Sequence, residues 1–188
     1  MKIIYNEKID KKIFKEVNKM GDKLSPVFDF KFPKIKFDKK EISKAKIMAN
    51  CFSFIVDEIK IRKAIKKIYK CDMPNIIVYV NSTPFSTWNV KEKWLSISIK
   101  RGPIQVENTI CHEANHFMYD YVFKTEKYQD TEVKETLTVL NNFYGFEDKG
   151  WDKFSKYRKK IFKFYKKTRD FNKTREYTLK LVKSSMRK

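Results

Sequence analysis

The sequence contains little glycine and proline and very few histidines. Its 188 residues include four glycines, five prolines and two histidines. No Gly/Ser-rich stretch is present, which argues against a flexible linker between domains. With 41% hydrophobic and 15% aromatic residues, the chain nevertheless has enough bulky side chains for a hydrophobic core of ordinary size. We therefore predict a folded domain and not a disordered chain.

Cysteines are also few, and long hydrophobic segments are lacking. Cys51, Cys71 and Cys111 are odd in number and form no CxxC pair, which argues against a disulfide framework and fits a reducing compartment. Charges interrupt the first residues, unlike a signal peptide. The sequence contains no run of about 18 apolar residues, so no transmembrane helix is predicted. We accordingly expect a cytoplasmic protein with no transmembrane segment.

Acidic residues are strongly outnumbered by basic ones. Forty-three Lys and Arg residues face 23 Asp and Glu residues, which gives a net charge of +20. Such a charge attracts nucleic acid, anionic membranes or acidic proteins. The basic surface thus indicates an acidic partner or nucleic acid. Because the excess is almost all lysine, a merely solvated surface is the alternative.

Hydrophobic periodicity predicts an α+β protein that is mostly helical. Amphipathic helices are predicted over residues 6–20 and, in one or two segments, over residues 41–69. The core positions expected in the second region are Ile47, Cys51, Ile55, Ile59 and Ile65. The stretch FDFKFPKIKF (residues 28–37) is predicted to be an edge strand or an extended loop, because Pro33 interrupts its alternation.

Two further segments predict a small antiparallel or mixed sheet. Residues 75–80 are rich in β-branched side chains, and residues 94–100 alternate strictly between apolar and polar. The alternation in the second strand predicts a half-exposed sheet edge, with Trp94, Ser96 and Ser98 facing outward. An exposed edge can bind an extended peptide as an added strand, so we predict substrate binding by these three residues.

The second half of the chain is predicted to be helical. A helix begins near Pro103 and runs to about Phe123, and another covers residues 131–143. Residues 151–188 are basic and aromatic. Their helical spacing predicts a stripe that packs on the rest of the protein, and their mixture of lysines and aromatic rings would also suit nucleic acid.

The helix after Pro103 contains the motif H-E-x-x-H, formed by His112, Glu113 and His116. Residues four apart lie on one face of a helix, so both imidazoles can reach a common metal ion. Zinc lowers the pKa of bound water towards ~7, and a neighbouring carboxylate can take the proton. The motif predicts a zinc site with Glu113 as the catalytic base.

A catalytic zinc usually has three protein ligands, and no third histidine exists. Glu135 lies on the next predicted helix, where a loop could return it to the metal. Glu132 is the rival ligand, although an acidic residue in the first turn of a helix is also favoured by the helix dipole. Asp120 and Asp130 are weaker candidates.

This pattern resembles the gluzincin metallopeptidases, in which HExxH is followed by a spacer and a ligand glutamate. The match covers His112, Glu113, His116 and Glu135. The resemblance implies a zincin-like core with an active-site helix and a glutamate helix, and hydrolysis of peptide bonds by a zinc-bound water. It also implies a supporting aspartate one turn after the glutamate, but that position is Val139 here.

We therefore expect a zinc metallopeptidase domain over residues 1–150, including the amino-terminal helices, and a helical basic extension over residues 151–188. Two alternatives stay open. One is a basic nucleic-acid-binding protein whose HExxH is accidental or non-catalytic. The other is a latent zincin-like protein that holds metal without activity.

Overall fold

A computed structural model of the chain describes residues 1–28, 34–35, 38–127 and 129–185. The described elements combine many helices with one small sheet, which confirms the predicted α+β class. In chain order they are β1 (Lys2–Ile4), α1 (Glu7–Phe28), α2 (Lys39–Ile55), α3 (Glu58–Tyr69), β2 (Ile77–Asn81), β3 (Thr87–Asn89), β4 (Trp94–Ser98), α4 (Val106–Phe123), α5 (Thr131–Leu137), α6 (Ser155–Thr168) and α7 (Phe171–Ser185).

Short 3₁₀ segments complete the two helices that matter most for the site. Pro103–Gln105 leads into α4, and Thr138–Tyr144 continues α5. The helices predicted to begin near Pro103 and to cover residues 131–143 are therefore confirmed. Most of residues 28–37, predicted to be an edge strand or extended loop, lies outside the described residues.

The sheet is mixed, with the strand order β1-β2-β4-β3. β1 and β4 both pair with β2 in parallel, and β3 pairs with β4 in the antiparallel direction. β1 and β3 have only three residues each, too few to show a hydrophobic period, and the sequence did not predict them.

The prediction that residues 94–100 form a half-exposed edge strand is wrong. β4 lies between β2 and β3, and all five of its residues are buried. The Trp94 side chain packs in a small cluster with Ile13 and Val17 of α1. The main chain of β4 is thus paired on both sides. Its serine side chains have hydrogen-bond partners, which the alternation of apolar and polar residues in the sequence cannot reveal.

Those partners are the last residue of β2 and a residue just after it. The Ser96 hydroxyl accepts a hydrogen bond from the Asn81 amide at 3.1 Å, and the Ser98 hydroxyl donates to the Thr83 carbonyl at 2.5 Å. Because buried polar groups need such partners, serines can occupy the covered face of this sheet. The substrate-binding roles predicted for Trp94, Ser96 and Ser98 are therefore corrected, since none of these side chains is available at the surface.

Helices α2 and α3 are confirmed as two segments, but most of their predicted core positions are wrong. Of the five predicted, only Ile65 is buried; Ile47, Ile55 and Ile59 are 63%, 45% and 65% exposed, and Cys51 is exposed as well. The main core instead receives small or differently placed residues of these helices: Ala45, Ala49, Phe52, Ile61, Ala64 and Ile68.

The carboxy-terminal helices belong to the same hydrophobic core as the helices around the site. Ile161 and Tyr165 of α6 and Phe171 and Val182 of α7 are all buried in it. Among the described residues, no helix is both long and apolar enough to cross a membrane. The described part of this region, residues 151–185, thus packs on the rest of the protein with its apolar stripe and leaves its lysines outside.

Candidate metal centre

Two turns of α4 present the histidine pair. Their rings lie with centroids 4.5 Å apart and nearly perpendicular, and the Nε2 atoms of His112 and His116 are 2.9 Å from each other. The four-residue spacing on a regular helix is what brings both imidazoles to one side.

Glu135 of α5 approaches the same point. Its Oε1 lies 3.3 Å from Nε2 of His116, and its Oε2 lies 3.6 Å from Nε2 of His112. The structure therefore brings together the three side chains predicted as ligands, and they form a group able to hold a metal ion. Glu132, the rival, is not part of this group.

The donor set fits a zinc ion. Ligand atoms at ~2.0–2.2 Å from a tetrahedral ion are separated by roughly 3.3–3.6 Å. The spacings between the imidazole nitrogens and the Glu135 oxygens, 3.3 and 3.6 Å, match this range, and the two Nε2 atoms, 2.9 Å apart, are somewhat closer. The buried Oε2 of Glu135 has no hydrogen-bond partner among the described residues. A buried carboxylate oxygen without a partner is costly, and a bound cation would satisfy it.

The other two acidic candidates have different partners. Asp120 forms a 2.7 Å ion pair with Lys134, and both side chains are almost fully buried. Asp130 accepts a hydrogen bond from the Tyr119 hydroxyl at 3.0 Å. Each carboxylate thus has a structural role away from the imidazoles.

Asp148 supports His112, and sequence reasoning missed it. Its Oδ2 lies 2.8 Å from Nδ1 of His112, so the proton stays on Nδ1 and Nε2 is directed to the metal position. The position that the family resemblance suggested for such support, Val139, is buried in the core. Asp148 lies in an irregular turn between two glycines, and no spacing rule in the sequence distinguishes it.

Arg158 of α6 fixes Asp148 in place. Its guanidinium donates to Oδ1 and to the carbonyl of Asp148, both at 2.7 Å. The same side chain donates to the Glu135 carbonyl at 2.6 Å, so one buried cation joins the supporting aspartate to the glutamate helix. Gly150 permits this approach: its φ is +61°, and a Cβ there would lie 2.6 Å from the guanidinium.

The Glu113 carboxylate is buried beside the metal position. It is 7% exposed, and its Oε2 has no hydrogen-bond partner among the described residues. Burial raises the pKa of this carboxyl group, while the neighbouring imidazoles oppose the shift. A buried carboxylate with one oxygen left without a hydrogen bond is suited to accept a proton.

Trp88 of β3 covers His116. Their ring centroids are 4.8 Å apart with a 31° angle between planes, and the indole Nε1 donates to Asp120 at 2.8 Å. His116 Nδ1 has no hydrogen-bond partner among the described residues. Nδ1 of His116 therefore lacks the carboxylate support that His112 has, and the ring is held by stacking on the indole and by Glu135 at Nε2.

The candidate centre lies in a cleft of about 360 Å³, which is lined by His112, Glu113, His116 and Glu135. Strand β3, at the edge of the sheet, contributes to its wall, and so do the turn before α4 and the turn around Asp148. Residues that line it outside the centre include Phe85, Ser86, Trp88, Gln105, Lys127 and Trp151. Trp94, Ser96 and Ser98 are not among the lining residues.

Comparison with known proteins finds no match: no family model, curated protein or solved structure is significantly similar to this chain.

The charges around His112 predict a pH-dependent zinc affinity. Burial of the imidazole opposes its protonation, but Asp148 and Glu135 outweigh burial and raise the pKa of His112 to about 9. The Nε2 atom of a zinc-bound imidazole must be deprotonated, so metal binding releases the proton from Nε2 of His112, while Nδ1 keeps its proton. Zinc affinity should rise roughly tenfold per pH unit between about 7 and 9 and then level off. Competition with a chromophoric chelator over this range measures it, and a flat profile would contradict the assignment.

Asp148→Asn is expected to weaken zinc binding by about 10–100-fold. The amide cannot hold the His112 proton on Nδ1 as a carboxylate does, and removing the charge should also lower the pKa of His112. The rise in zinc affinity with pH should therefore move to lower pH. Glu147→Gln, at an exposed neighbour in the same turn, serves as the control and should change neither quantity.

Proposed function

We propose that this protein is a zinc-dependent peptidase. The observation that carries the proposal is the convergence of His112, His116 and Glu135 on one point of a cleft where the buried carboxylate of Glu113 has an oxygen without a partner. The proposed metal ligands are these two histidines and Glu135, and the proposed general base is Glu113.

Zinc at this position would act as a Lewis acid that makes water acidic enough to be deprotonated near neutral pH. Glu113 accepts the proton from the attacking water and later delivers it to the amine that leaves the cleaved peptide bond. A pKa raised by burial suits this double role, because the group must both take and give a proton near neutral pH. Asp148 keeps the His112 ring in the orientation that the metal requires.

The substrate main chain is proposed to lie along β3. This strand is at the edge of the sheet, and its residue Trp88 and the preceding Ser86 line the cleft. Within the described part of the chain, β3 pairs only with β4, so its outer side can accept an extended peptide as a further strand. This assigns to β3 the role that the sequence had assigned to β4.

A cytoplasmic location is part of the proposal. Cys51, Cys71 and Cys111 are all free thiols in the structure, and Cys51 is exposed. Unpaired cysteines at a surface fit a reducing compartment.

The test combines metal analysis with hydrolysis of fluorescein-labelled casein. The wild-type protein should bind one zinc ion and cleave casein, lose both properties with 1,10-phenanthroline and recover both when zinc is added back. Glu135→Gln should bind zinc at least about tenfold more weakly and lose activity. Glu132→Gln, three residues earlier on the same helix, is the matched control and should keep both.

Two results would contradict the proposal. If the wild-type protein binds one zinc ion but does not cleave casein, the result favours a latent metal-binding protein. Salt-sensitive binding of DNA without any zinc would favour the nucleic-acid-binding alternative.

A further inference from the structure

Helix α2 carries hydrophobic side chains on the side that faces away from the core. Phe54 is 88% exposed, Ile47 63% and Ile55 45%, and Cys51 is exposed too. Their spacing of four, seven and eight residues from Ile47 places all four on one strip of the helix, called here the α2 outer face. The core is contacted by the opposite side of the helix, through Ala45, Ala49 and Phe52.

Two more large apolar side chains are exposed in the segments around α2. Ile59 of α3 is 65% exposed and Ile104 is 94% exposed, and the 3₁₀ turn that holds Ile104 contacts α2. None of the described residues covers these side chains. Folded proteins rarely leave large neighbouring apolar side chains in water unless the surface binds something.

Positive charge lies on both sides of the apolar strip. Lys40 and Lys44 continue the α2 outer face towards its amino-terminal end, because they precede Ile47 by seven and three residues. After Ile59, the exposed residues at the same helical spacing on α3 are lysines: Lys63, Lys66 and Lys67. Residues 39–69 contain nine lysines and arginines against three acidic residues.

Two of those acidic residues have basic partners. Glu41 accepts from Lys44 and Lys100, both at 2.9 Å, and Glu58 pairs with Arg62 at 2.6 Å. Glu107, which approaches the same corner from α4, pairs with Lys60 at 3.5 Å. Lys66 likewise pairs with Asp72 at 2.9 Å. Because basic residues outnumber acidic ones in residues 39–69, the surface around the apolar strip is still positive.

We propose that the α2 outer face docks the protein on an anionic lipid surface. The apolar side chains would enter the boundary between headgroups and acyl chains, and the flanking lysines would contact lipid phosphates. A second copy of this chain would bring two surfaces of the same charge together, each from a protein of net charge +20. Nucleic acid would pair with the lysines but leave the aliphatic side chains in water.

The experiment is flotation of the full chain with vesicles of phosphatidylcholine, with and without a fraction of phosphatidylglycerol. The wild-type protein should float with the anionic vesicles at physiological ionic strength and only weakly with the neutral ones. The double substitution Ile47→Ser and Phe54→Ser should reduce binding to anionic vesicles by at least about tenfold. Both side chains are exposed, so circular dichroism should show an unchanged fold.

Lys159→Ser with Lys163→Ser is the control, because it removes two exposed charges from α6 and leaves the α2 outer face intact; it should keep most of the binding. Retained binding by the Ile47/Phe54 variant together with loss in the lysine variant would overturn the proposal in favour of general charge attraction. Absence of wild-type binding to anionic vesicles would also overturn it. Sedimentation showing a wild-type dimer that the Ile47/Phe54 variant dissociates would assign the face to a second copy instead.

Discussion

Glu113→Gln is expected to reduce peptide hydrolysis by about 10²–10⁴-fold while the protein still binds one zinc ion. Glutamine has nearly the same shape as glutamate but cannot accept a proton from water at neutral pH. The proposed metal ligands are other residues, so zinc affinity should change little. The measurement is kcat for casein-derived peptides together with zinc content of the same preparation.

Glu147→Gln is the matched control for this substitution. Glu147 also lines the cleft, but its side chain is 67% exposed and pairs with Lys149 at the surface. It should keep nearly full activity. If Glu113→Gln loses zinc, Glu113 is a ligand and not a base; if it keeps more than about a tenth of the activity, the base is another group.

Lys134→Met is expected to lower the free energy of unfolding of the metal-free protein by about 3–5 kcal/mol. Lys134 is 1% exposed, and its Nζ donates to Asp120 at 2.7 Å and to the Lys127 carbonyl at 2.8 Å. Burial lowers the pKa of this lysine, and Asp120 opposes the shift. Removing the cation would leave the Asp120 carboxylate buried without a compensating charge. Urea unfolding followed by circular dichroism measures the loss.

Two further variants separate the buried pair from general effects of removing a lysine. Lys149→Met, where the side chain is 84% exposed, should cost less than about 1 kcal/mol. Adding Asp120→Asn to Lys134→Met should restore part of the stability, because the buried negative charge is then gone. Strictly additive losses in the double variant would show that the pair is not the source of the effect.

The sequence was sufficient for the parts of the site that depend on helical spacing. His112 and His116 are four residues apart on a helix with clear boundaries, and Glu135 lies on the helix that follows. Helical spacing therefore predicted the imidazole pair. Glu135 was expected from the interval to the next helix and from the resemblance to the gluzincins, with Glu132 as its rival. The chemistry assigned to them is a proposal that the substitutions above test.

The parts that could not be predicted depend on contacts between distant segments. Asp148 reaches His112 from an irregular turn, and Arg158 reaches Asp148 from a later helix. β4 was predicted at the sheet edge because its serines look like exposed positions in the sequence. In the structure these serines are buried and form hydrogen bonds with residues at and just after the end of β2. The core side of α2 is formed largely by alanines, which a search for large apolar residues overlooks.

The position of Arg158 also affects when the centre is completed during synthesis. Chains are made from the amino terminus, so both imidazoles and Glu135 leave the ribosome before the guanidinium that fixes Asp148. We expect nascent chains in which Glu135 has left the ribosome and Arg158 has not to retain zinc poorly. If the centre hydrolyses peptides as proposed, its completion only with α6 would spare the unfolded polypeptides nearby, including its own unfinished chain.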